Sequence, residues 1–159
     1  MAKTPRIITT ALVAATMLIA APTATAATPH VQHPAEAAAD TCGPSVDPNT
    51  YIPSSRRHTG PTAKAGSARI QVRYGNKKAG APYYVWASIT GARRGDPVQL
   101  RWDIDYGSWE DYGVCAATVH SGTSQNTRAV KYRHGSGWHL EAQAWGKHAG
   151  HKGSTAYWP

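Results

Sequence analysis

Three groupings of side chains in this sequence have types and spacings that could do chemistry. His148-Ala149-Gly150-His151 has the spacing of a zinc or copper ligand pair. Lys147 and Lys152 flank it and oppose a cation, and ordering a glycine-bearing loop costs entropy. The segment therefore reads as a solvated turn. Asp103, Asp105, Glu110 and Asp111 offer hard oxygen donors. They lack the Asp-x-Asp-x-Asp-Gly loop with a twelfth-position Glu, and Arg101 sits beside them, so a plain hairpin turn is expected. Glu141, His120 and His139 could form acid–base pairs if the fold gathers them. There is no Gly-x-Ser-x-Gly elbow, His-Glu-x-x-His pair or phosphate loop. His134-Gly135-Ser136-Gly137 looks like a nucleophile turn but joins two predicted strands. No catalytic residue, metal or cofactor is assigned on this basis.

Those groups work only if something positions them. Cys42 and Cys115 are the two cysteines of the chain. Without close Cys-x-x-Cys spacing a metal pair is disfavoured, and outside the cytoplasm an even count favours a disulfide. It would close a loop of 115 − 42 = 73 residues, which chain entropy values at about 4 kcal/mol. An export signal fits this expectation. Lys3 and Arg6 precede the apolar run Ile7 to Ala21, and Ala24-Thr25-Ala26 supplies small residues for cleavage. The run is about 15 residues, short of the roughly 20 that span a bilayer, so a cleaved signal at 1–26 is expected rather than an anchor. The remaining chain has 159 − 26 = 133 residues and 17 − 2 = 15 Lys and Arg against nine acids, a charge of +6. A basic exported domain is drawn to anionic partners.

Residues 27–66 are rich in Ala, Pro and Thr, then carry Pro44, Pro48, Pro53 and Pro61. They read as a disordered lead followed by an irregular Pro-rich arm. From 67 to 159 the texture becomes alternation. Ala68, Ile70, Val72 and Tyr74 point one way, and Arg69, Gln71 and Arg73 the other. Tyr83 to Thr90 and Val98 to Ile104 repeat the pattern. Weaker strands are predicted near 112–119, 127–133, 138–145 and 154–158. About seven short strands without helical period imply an all-β domain, an antiparallel β-sandwich or small barrel. Phe is absent, so Trp and Tyr must supply the bulk of the core.

The run Asp103-Ile104-Asp105-Tyr106-Gly107-Ser108-Trp109 resembles an Asp-box hairpin. The resemblance implies that Asp105 accepts backbone N–H bonds across the turn while Gly107 adopts positive φ. Asp-boxes occur in exported glycosidases, ribonucleases and binding proteins, so the motif selects no function. On the second strand Tyr84 and Trp86 lie on the less apolar face. With Arg69 and Arg73 nearby they could stack on sugar rings or bases, unless both faces of that sheet are covered. Lys77-Lys78 and Arg93-Arg94 tip two loops expected at opposite ends of a meander.

From Ser67 to Trp158 the chain resembles small exported actinobacterial proteins of unassigned function. The resemblance is carried by Tyr84-Val85-Trp86-Ala87-Ser88-Ile89, by Gly95-Asp96-Pro97-Val98-Gln99-Leu100-Arg101-Trp102 and by Thr155-Ala156-Tyr157-Trp158. Members often hold an extra carboxy-terminal cysteine pair, where Trp145 and Ser154 stand here. It implies no activity. The expectation is a secreted, monomeric, non-catalytic module binding an anionic cell-wall or extracellular polymer or a saccharide, with nucleic acid a further candidate polyanion. A small hydrolase such as a ribonuclease is the alternative, and an antimicrobial or protease-inhibitor protein a third.

Overall fold

The computed structural model describes residues 41–107 and 110–159. The expected signal at 1–26 and the lead at 27–40 lie outside the described residues. Eleven antiparallel strands form two sheets among the described residues. The first sheet runs β1 (Ser45–Val46), β8 (Ala129–Lys131), β4 (Tyr83–Thr90), β3 (Ala68–Asn76), β2 (Arg57–Ala65), with β7 (Ser124–Asn126) also on β4. The second runs β11 (His151–Ser154), β10 (Trp138–His148), β5 (Pro97–Asp105), β6 (Glu110–Thr118), with β9 (His134–Gly135) on β10.

Alternation builds the core. Ile70 and Val72 from β3, Val85, Ala87 and Ile89 from β4, and Val98, Leu100, Trp102 and Ile104 from β5 are buried together. Leu140, Ala142 and Ala144 of β10, beside β5 in the second sheet, complete the layer. Small residues on β10 let that strand approach closely. A Cβ on Gly146 would lie 3.0 Å from Ile70 Cδ1. Cys42 and Cys115 form the disulfide, with Cα atoms 4.3 Å apart. It ties the start of the described chain to the middle of β6, and it belongs to an oxidising, non-cytoplasmic compartment. No described helix is long and apolar enough to cross a membrane.

Four strands exceed the expected seven: β1, β2, β7 and β9. Three of them have two or three residues. The fourth corrects the reading of 27–66 as an irregular arm. Arg57–Ala65 is a nine-residue strand paired to β3. Pro61 is tolerated because β2 lies at the end of its sheet's pairing order and the register shifts between Thr59 and Thr62, so no ladder position requires its missing N–H. The last expected strand, 154–158, is also displaced. β11 ends at Ser154, and beyond it Trp158 makes a single bridge with Ala142.

The segment before β2 does not lie free. A one-turn helix α1 (Pro48–Tyr51), capped by Asp47 Oδ1 accepting from Asn49 N–H at 2.8 Å, folds over the outer face of the first sheet. There Ile52, Trp86 and Ala129 form a second small core, with Val46, Tyr51 and Tyr84 packed against it.

Candidate functional site

The long strands alternate in direction, so their connections collect at two ends. At one end meet the β2–β3 turn, the β4–β5 loop and the β10–β11 turn. Both hairpins there use tight two-residue connections. Gly66 at φ +59 opens the first, and Ala149 and Gly150 at φ 48 and 86 form the second. Both mirror-image turn types match the twist of the strands they join.

The two hairpins lie side by side. A Cβ on Gly153 would collide with the Lys64 carbonyl oxygen, and one on Gly66 would lie 3.1 Å from the His151 ring. These contacts set β11 against β2 and β10 against β3, strands of different sheets that share no ladder. The outward residues nearest the turns are Arg69, Lys64, Lys152 and Lys147. Register places Lys64 opposite Arg69 and Lys147 opposite Lys152. All four are exposed. They form a cationic row of two in-register pairs, one on each hairpin, and exposed Arg93 and Arg94 stand in the β4–β5 loop at the same end. Like charges directly opposite cost a sheet stability, so folding does not explain the row.

Beneath the row runs a hydrogen-bonded chain. His148 Nδ1 lies 2.7 Å from Asp96 Oδ2, and His148 Nε2 lies 3.2 Å from Ser67 Oγ. A carboxylate only accepts, so Nδ1 carries the proton donated to Asp96. In the neutral ring Nε2 then accepts from the Ser67 hydroxyl. The imidazole is 5% exposed and the Asp96 side chain 16%, while Ser67 is open to solvent. Asp96 also accepts the Arg93 N–H at 2.6 Å. Burial alone would raise its pKa from 3.8. The hydrogen bonds from His148 and the Arg93 backbone, with the charges of His148 and Arg93, outweigh burial and lower it.

The reading of His148 to His151 as a solvated turn is thus corrected at one residue. His151 is exposed, but His148 is buried because it shares the inward phase of Leu140, Ala142, Ala144 and Gly146. That parity was the available signal. Ser67 and Asp96 gave none, being 81 and 52 residues from His148 in sequence.

At the opposite end, which also carries Lys77 and Lys78, the in-register pairs are acidic. Asp105 faces Glu110, and Asp103 faces Glu141, again like charges in register. Gly107, at φ +79, donates its N–H to Asp105 Oδ1 at 2.6 Å. Asp111 pairs with Arg133 at 2.8 Å, and Arg133 stacks over Trp102, 5.5 Å from the ring centroid. Among the described residues no three His, Cys, Asp or Glu side chains converge as a metal site. His139 Nε2 stands 3.7 Å from Glu141 Oε1, whereas His120 follows β6 at the basic end, so these three do not gather. Tyr157 is pushed up by burial and then by the charges of Asp103 and Glu141, with Arg101 opposing. Two adjoining depressions of about 540 and 550 Å³ share Tyr132, His134 and Trp138 as walls.

The four residues proposed from sequence as an aromatic-basic ligand face do not act together. Trp86 is 1% exposed beneath Ile52 and Ala129, which removes it from any stacking role. Tyr84 packs edge-on against Tyr51, with ring centroids 5.2 Å apart. Its pKa is raised by the Tyr51 hydrogen bond, then burial and the Tyr51 charge. Arg73 donates Nε–H to the His58 carbonyl at 3.0 Å, and burial followed by the nearby Arg57 charge lowers its pKa. Arg69 alone belongs to the exposed row. Four residues along β3 separate it from Arg73, about 13 Å. The cause is the arm, which covers the face that alternation left ambiguous. Lys77-Lys78 and Arg93-Arg94 stand at opposite ends.

No known protein family, curated protein or solved structure matches the chain.

Proposed function

We propose that the protein is a secreted module that binds an anionic extracellular polymer, such as a phosphodiester or uronate chain, along the row Arg69, Lys64, Lys152 and Lys147. One observation carries this reading: two like-charge pairs are held in register on adjacent hairpins and exposed together. Each such pair costs roughly 0.2–1 kcal/mol, a cost that a bound polyanion offsets. Partners in register stand about 5 Å apart, close enough for one chain of anions to touch both members of a pair. The only described carboxylate in the loops of this end, Asp96, is engaged by His148 and the Arg93 N–H. Export is supported by the signal pattern at 1–26 and by the disulfide. Retention on immobilised polyphosphate and on neutral dextran tests the proposal. Wild type is expected to stay on polyphosphate and pass through dextran. Lys64→Gln with Lys152→Gln should elute early, while Lys78→Gln at the far end should elute with wild type.

A second reading has its own observation. The depressions walled by Tyr132, His134 and Trp138 suit the apolar face of a neutral sugar ring. Such binding would be insensitive to salt and would be lost in Tyr132→Ala, a variant that leaves the cation row intact.

A further inference from the structure

The chain Asp96, His148, Ser67 has a chemical order that polymer binding does not use. Its acid is half-buried and ionised, its base is buried, and its hydroxyl is at the surface. The acid fixes the tautomer, so the base presents a lone pair to the hydroxyl. Those are the roles of a proton relay that activates a serine, and such a relay is recognised by geometry rather than by sequence position. The turn favours attack. Gly66 takes the positive φ of a tight hairpin, which leaves Ser67 at its outer corner. His148 is almost free of solvent, so water competes little for Nε2.

We propose that Ser67 is the nucleophile of a carboxylic-ester hydrolase, with His148 its general base and Asp96 the group that orients His148. Ser67 Oγ attacks the ester carbonyl carbon while its proton passes to His148 Nε2. The imidazolium is stabilised by Asp96, which keeps its own charge. The C–O bond to the alcohol then breaks, and the leaving oxygen takes the proton from Nε2. Water attacks the Ser67 acyl ester by the same route. This releases the carboxylic acid and restores the hydroxyl, so one ester and one water give one acid and one alcohol. Negative charge on the carbonyl oxygen develops at the end of the molecule that holds Lys64, Arg69 and Lys152. The substrate class is an O-acyl ester carried on a polyanion. The polyanion rests on the binding reading above, whereas the acyl transfer does not.

The test uses an uncharged fluorophosphonate, which phosphonylates activated serines, with intact mass and peptide mapping as readouts. Wild type should gain one adduct, on Ser67, and Ser67→Ala none. Asp96→Asn changes the acceptor of Nδ1 and should slow labelling at least 100-fold, with near-ultraviolet dichroism showing that the variant is folded. Should that variant unfold, the pH profile of wild-type labelling replaces it. The rate should rise with pH and then level, as a base-activated serine requires. Absence of an adduct on Ser67 in wild type overturns the proposal. So does labelling that is equally fast in folded Asp96→Asn, or a flat pH profile, because a purely structural clasp would leave the serine ordinary. Polyphosphate retention is measured on the same samples. If retention fails while labelling persists, the binding reading falls and this one stands.

Discussion

Both ends of the sandwich hold like charges in register, and the pairs differ in sign. At one end Lys64 faces Arg69 and Lys147 faces Lys152. At the other Asp105 faces Glu110 and Asp103 faces Glu141. They differ further in what lies beneath the charges. The basic end closes over a buried His148 that joins two connections through Ser67 and Asp96. The acidic end holds the local bond from Gly107 to Asp105 and the Arg133–Asp111 pair, beside open aromatic depressions. The contrast teaches that like charge in register is tolerated at either end. At the basic end it lies over the polar chain Ser67, His148 and Asp96, which long-range topology must assemble.

The largest expected effect breaks that coupling. Asp96→Ala removes the acceptor of two hydrogen bonds, one from a buried imidazole and one from a backbone N–H. It should cost about 2–4 kcal/mol by denaturant titration. The pH dependence follows from the sign of the shift. The Asp96 pKa is lower folded than unfolded, so its contribution is present above its ordinary value of 3.8 and is lost as pH falls through the lower folded value. Wild type should therefore lose stability on acidification below about pH 4, while the Asp96→Ala curve should be flatter there. Parallel acid limbs would contradict the assignment.

At the acidic end the matching change should be smaller. Asp105→Ala removes one exposed acceptor and should cost about 1 kcal/mol, with Asp103→Ala costing less. Thermal melts of both variants, with calcium and with chelator, distinguish a turn from an ion site. A loss seen only with calcium would mean the acids hold a cation.

Much of the fold was legible from alternation in β3, β4 and β5, because their inward residues are apolar and their outward residues polar. β2 was not legible. Its outward positions are polar, Ala63 and Ala65 offer little apolar surface, and Pro61 argues against a strand until a bulge is known to accommodate it. The site was less legible still. Arg69 could be singled out, but the row depends on two separate strand pairings, and Ser67 and Asp96 come from two connections that meet His148 at the end of β10. Trp86 misled because a β-strand's second face is exposed or covered according to what the rest of the chain does, here the turn at Pro48 to Ile52.

The smallest expected stability change sharpens the comparison. Lys152→Glu converts a like pair with Lys147 into an opposite one. It should raise stability by roughly 0.2–1 kcal/mol while weakening polyanion binding. A gain in fold with a loss in binding is what a functional charge row predicts, and a loss in both would mean the row supports the fold.

The most direct measurement of the central claim is the salt dependence of polyphosphate affinity, by calorimetric titration from 50 to 300 mM salt (about 14 down to 6 Å of Debye length). Wild-type log Kd should rise linearly with log salt, and the slope should fall in Lys64→Gln with Lys152→Gln but not in Lys78→Gln. Affinity that is independent of salt, or a slope unchanged by the paired substitution, would contradict binding along this row.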